Sequence, residues 1–130
     1  MRATWESDRQ LVGVIAVAIA IAIAALPLAH MLDHRIDRAR PMYADRLTLA
    51  GLEYRHIQQQ GSGLTLTLDP GEEVTIAGRV FTPSARTTLS TRLLGHAYCV
   101  RATNDYGDTT DWRCWDNESD PRESPGYPAR

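Results

Sequence analysis

Hydrophobic and polar positions divide the chain into three regimes. From Leu11 to Ala29 the run LVGVIAVAIAIAIAALPLA carries no charge. As a helix rising about 1.5 Å per residue it reaches about 28 Å, close to the ~30 Å hydrocarbon thickness of a bilayer. Isoleucine and alanine alternate from Ile15 to Ile23, which also suits a strand. A lone strand in lipid leaves its backbone N–H and C=O groups unsatisfied, so the run predicts one transmembrane helix over 11–29. From His30 to Gln60 the chain turns charged, and Leu47, Ala50, Tyr54 and Ile57 recur at spacings of three and four with Leu52 beside them. That repeat predicts an amphipathic helix over 30–60 whose apolar stripe packs on a sheet. Pro27 and Pro41 predict kinks in this long helix, and Gly61-Ser62-Gly63 predicts its end.

At Leu64 the period changes to two. Leu64, Leu66 and Leu68 alternate with Thr65 and Thr67, Asp69-Pro70-Gly71 is turn chemistry, and Val74 to Ile76 follows, a pattern that predicts a β-hairpin. A strand over Arg79–Thr82, broken by Pro83, and another over Thr87–Leu94 come next. His96–Thr103 and Thr109–Trp115 flank the turn-rich Asn104-Asp105-Tyr106-Gly107-Asp108. With Tyr106-Gly107 as a two-residue loop, Cys99 stands opposite Cys114, Arg101 opposite Trp112 and Tyr98 opposite Trp115. A loop of three to five residues shifts that register. After Trp115 and Asp116, residues 117–130 hold three prolines without periodicity and are expected to be a disordered tail. The expected fold is α+β: a long N-terminal helix, transmembrane in its first half, packed on a small antiparallel sheet over 61–116 that one disulfide closes.

Composition narrows the chemistry. All 14 basic residues are arginine, which excludes lysine Schiff bases and the P-loop lysine, and a net charge of −2 gives no footprint for nucleic acid. The 2 cysteines read as one Cys99–Cys114 disulfide in an oxidising compartment, against the alternative of two free thiols. Arg35, Arg38 and Arg40 after the span argue for a cytoplasmic C-terminal domain by the positive-inside rule. The cysteine pair, the short arm 1–10 with Trp5 at interfacial level, and the strand-rich sequence downstream argue the opposite. The expectation adopted is a cytoplasmic arm, a retained anchor and an external domain. The alternative of a cleaved signal at the A-x-A triplets of Ala20–Ala24 leaves apolar sequence continuing beyond the cut.

Catalytic and metal constellations are sparse. His30, Asp33, His34 and Asp37 share a helical face with ligand-like spacing, but an open membrane-proximal face suits them better than a metal site. His56 and His96 lack a nucleophile elbow, and Glu72-Glu73 are adjacent positions on opposite faces of a strand. No cofactor, metal, small-molecule substrate or catalytic residue is expected, and Arg101, Trp112 and Trp115 form a candidate partner surface.

Two segments carry a family resemblance. Gln10-Leu11 running unbroken to Ala24-Ala25-Leu26-Pro27, and Ala97-Tyr98-Cys99-Val100-Arg101-Ala102-Thr103-Asn104 answered by Trp112 and Trp115-Asp116, resemble type IV pilins and pseudopilins, the second in the manner of high-GC Gram-positive bacteria. Trp5-Glu6-Ser7-Asp8-Arg9-Gln10 stands where that family carries a small residue before Phe-Thr-Leu-x-Glu, and Gln10 replaces the glutamate. The resemblance implies a minor or divergent structural subunit of a surface filament or secretion pseudopilus, with self or other pilin-like subunits as partners and no catalysis. Packing through Gln10, Ala16, Ala20, Ala24 and Pro27 would bury the apolar helix once it leaves lipid. The alternative is a monomeric single-pass surface protein whose β domain binds another envelope component.

Overall fold

The computed structural model describes residues 3–129, the first five of them through the backbone alone, so the interfacial placement expected for Trp5 lies outside the described side chains. One helix, α1 (Ala3–Gln60), is followed by seven strands: β1 (Thr67–Leu68), β2 (Val74–Ile76), β3 (Arg79–Phe81), β4 (Thr87–Leu94), β5 (Ala97–Asn104), β6 (Arg113–Asp116) and β7 (Tyr127–Pro128). The chain forms two compact units, 1–38 and 39–130. Helical assignment continues through Pro27 and Pro41 without a break. It ends at Gly61, whose φ of 76° lets its N–H return to the Ile57 carbonyl at 2.8 Å.

Among the described residues the first unit is helix alone. Its large apolar side chains, from Leu11 to Ile36, all stay exposed, and at about 100° per residue they face every direction around the axis.

In the second unit, antiparallel pairing orders one sheet β1-β4-β5-β6-β7, and β2 pairs with β3 in a separate ribbon. The expected hairpin from Leu64 to Ile76 therefore does not form. Asp69-Pro70-Gly71-Glu72 is a turn, with the Glu72 N–H on the Asp69 carbonyl at 3.0 Å and Gly71 at φ 77°, but it sends the chain from one sheet to the other. Leu64–Leu68 is captured instead by β4. The Leu66 N–H donates to Thr91 Oγ1 at 3.0 Å, that hydroxyl donates to the Leu64 carbonyl at 2.8 Å, and the Thr91 N–H donates to the Leu66 carbonyl at 2.8 Å. The real short hairpin is β2–β3, closed by Ala77-Gly78, both at positive φ as a two-residue primed turn requires.

The core lies between the 39–60 stretch of α1 and one sheet face. Met42, Leu49, Ala50, Leu52 and Ile57 meet Leu89, Tyr98, Val100, Ala102 and Trp115, with Leu68, Ile76 and Phe81 closing the sides. Ala50 and Ile57 are buried as the helical repeat predicts, and Tyr54 is partly so. Leu47 is not: it remains 47% exposed, because the stripe runs through Met42, Leu49 and Glu53 rather than through position 47.

The expectation of a disordered tail is also overturned. The Asn117 N–H bonds the His96 carbonyl at 2.9 Å, Pro121 is buried, Trp115 Nε1–H donates to the Ser124 carbonyl at 3.0 Å, and β7 pairs with β6. Local composition favours disorder, but the open edge of β6 and the polar end of a buried tryptophan supply partners from outside the segment.

Candidate assembly surfaces

The β5–β6 hairpin positions the disulfide. Cys99 pairs with Cys114, and the two are bonded. The two-residue loop expected at Tyr106-Gly107 is absent. The Asn104 N–H instead bonds the Asp108 carbonyl at 3.0 Å around three residues, 105–107, and Gly107 takes φ 84°. That loop alone would move the cysteines out of register. A bulge corrects it: Thr110 pairs with Ala102 while Arg113 pairs with Val100, so Asp111 and Trp112 together oppose Arg101. The Thr110 hydroxyl steadies the bulge by accepting the Ala102 N–H at 2.9 Å.

The two tryptophans, three residues apart along the chain, face opposite sides of the sheet. Trp115 faces inward, buried, with its ring 5.9 Å from that of Tyr98; it is core, not partner surface, because it shares a sheet face with Tyr98, Val100 and Leu89. Trp112 lies half-buried against the outward face. The Arg92 guanidinium stands 4.3 Å and the Arg101 guanidinium 4.9 Å from its ring centroid, beside Cys99–Cys114. Both Nε atoms are buried without a hydrogen-bond partner. Of the sequence-predicted trio, the structure thus brings Arg101 and Trp112 together, removes Trp115 and adds Arg92. Arg92 was recoverable only from the β4–β5 register, which sets it opposite Cys99.

On the helix, Ala16, Ala20, Ala24 and Pro27 share one face, since steps of four, four and three residues return to nearly the same angle. Gln10 lies about 120° round the axis from Ala16 and does not join them. All belong to the exposed helix of the first unit. His30 and His34 stand edge to face at 5.0 Å, and among the described residues no group of three or more His, Cys, Asp or Glu is placed to hold a metal ion.

Beneath the sheet sits a group that the apolar pattern missed. Glu53 is fully buried in the α1 stripe; one carboxylate oxygen accepts the Leu64 N–H and the other has no partner. Burial pushes its carboxyl up to about 7, against the lowering effect of the Leu64 hydrogen bond. Burial likewise pushes the Tyr98 hydroxyl up, aided by the Asp120 charge, while that hydroxyl donates to the Ser119 carbonyl at 3.2 Å. The Arg122 side chain, with Nε 3.0 Å from Asp120 Oδ1, holds the Asp120 carboxyl down at about 2.

Compared with known proteins, the chain matches no family model, no curated protein and no solved structure.

Proposed function

We propose that this chain is a structural subunit, a minor or divergent pilin-like or pseudopilin-like protein, anchored by its N-terminal helix with its disulfide-closed head outside the membrane. The observation that carries this reading is the helix itself. It is long and apolar enough to cross a bilayer, has no side chain of the span buried, and its residues 39–60 form one side of the head's core. An anchor that only tethers needs no structural continuity with the domain it holds. The apolar span and one side of the head's core thus come from a single helical element. Outside lipid its all-round apolar surface needs equivalent helices, and the small side chains at Ala16, Ala20 and Ala24 allow close approach.

The test places a charge on that face. Ala20→Asp is expected to insert into membranes, shown by protease protection, and to abolish appearance of the chain in material sheared from the cell surface. Sheared material unchanged by the substitution would end the filament reading. A second reading, a monomeric anchored protein whose head binds an envelope component, draws on the outward Arg92–Trp112–Arg101 cluster, and predicts full function after Ala20→Asp and loss of partner capture after Trp112→Ala.

A further inference from the structure

An open groove of about 270 Å³ lies on the head where α1 meets the β2–β3 ribbon and the C-terminal segment. Its floor is apolar, made by Leu47, Leu52 and the bare backbone of Gly51, and it explains why Leu47 stays uncovered. Its rim is basic: Arg55, Arg79 and Arg122. Arg122 is paired with Asp120, whereas among the described residues no carboxylate forms an ion pair with Arg55 or Arg79. Asp120 also acts on Arg55 and Glu123 on Arg122, so three guanidiniums face two nearby carboxylates and a basic rim remains around the apolar floor, which suits an occupant that presents a carboxylate next to an aromatic or aliphatic body.

The chain carries such a shape elsewhere on the head. The β5–β6 tip exposes Asp105 and Tyr106, the latter 49% exposed, with Asp108 and Asp111 close behind. Tyr106 is held out by Arg86, whose guanidinium lies 5.2 Å from its ring and donates to its hydroxyl at 3.1 Å. None of these residues lines the groove of its own chain. Tip and groove are different surfaces, so a contact between them is heterologous. It leaves every copy with one tip and one groove to offer, an arrangement that propagates into an open filament when the rotation between copies does not close a ring.

We propose that the Arg55–Arg79–Arg122 groove of one copy receives the Asp105–Tyr106 tip of a second copy, a contact that rests on the assembly reading above and supplies its head-to-head specificity. The test uses the full chain in bilayer nanodiscs large enough for several copies. A photo-crosslinking benzoylphenylalanine at position 106 reads the tip, and the same group at position 20 reads packing of the spans. The expected result is an intermolecular adduct from position 106 to peptides containing residues 47–55 or 79. Arg55→Glu with Arg79→Glu, or Asp105→Arg alone, lowers it at least tenfold, and mixing copies that carry the opposite reversals restores it. Retention of the Cys99–Cys114 bridge and of the thermal midpoint shows that each variant is folded. An adduct that ignores the reversals, maps to another surface or to lipid, or does not form overturns the inference. If position 20 still cross-links in that case, the assembly reading survives it; if neither position does, both fall.

Discussion

Glu53 occupies a place in the α1 stripe, four residues from Leu49 and four from Ile57, where the helical repeat calls for an apolar side chain. The chain spends a carboxylate there to hold the Leu64 N–H, which begins the segment captured by β4. The cost appears in the pH dependence. With the folded carboxyl raised from 4.5 to about 7, the folded state binds more protons than the unfolded one across that window. The contribution of this one group is therefore fully present below about 4.5 and falls as pH rises towards about 7, by up to about 3 kcal/mol. Glu53→Gln, which keeps an oxygen for the Leu64 N–H, is expected to flatten that slope and to raise stability at pH 8 by about 1–2 kcal/mol. Urea unfolding at a series of pH values checks it, and an unchanged slope would refute the assignment. Nothing in the apolar pattern singles out Glu53, because a polar residue in a stripe looks the same whether it breaks the stripe or is buried within it.

Among the elements, the C-terminal segment departs most from what its composition suggests. Its order depends on close approach at Gly126, where φ is 68° and an added Cβ would fall 2.7 Å from the Cys114 carbonyl oxygen and 2.7 Å from Trp115 Cε2. Gly126→Ala is expected to detach β7 and expose Trp115, costing about 2–3 kcal/mol through left-handed strain plus the clash. Faster amide exchange over 117–128 and a red-shifted tryptophan emission would report it; protection equal to wild type would show the tail to be held by other contacts. The hairpin carries a second prediction. The Cys99–Cys114 bridge closes a sequence separation of 15 residues, and removing it with Cys99→Ser and Cys114→Ser should cost about 3 kcal/mol. Thermal unfolding of the full chain with and without the bridge measures this. The elements themselves were largely legible: the helix stop at Gly61, β3, β4 and the Cys99–Cys114 pairing all follow from local pattern. A two-residue loop predicts that pairing; the structure has a three-residue loop instead, and the pairing holds because that loop and the bulge at Asp111-Trp112 shift the register in opposite directions.

For the molecule as a whole, the arginine count after the span and the disulfide argue for opposite orientations, and thiol chemistry distinguishes them. With the head outside, thiol alkylation of intact protein from membranes, without reduction, should label neither Cys99 nor Cys114, and mass spectrometry of sheared surface material should find the apolar segment retained. Two alkylated thiols in a membrane-confined chain would place the head in the cytoplasm and overturn the proposed filament role with it. What the sequence alone determined is what depends on near neighbours: the uncharged run sized to a bilayer, the α+β order of elements, the glycine that ends the helix. Only the tertiary structure decided which partners those elements took. Leu64–Leu68 could pair with either neighbouring strand, and Thr91 captured it for β4. Trp112 and Trp115, three positions apart, face opposite ways by strand alternation alone, and packing of one sheet face on α1 decided that Trp115 was the one buried. Periodicity shows which side chains seek burial and at what spacing; which surface buries them is settled by competition among segments distant in sequence, and that competition is invisible until the chain has folded.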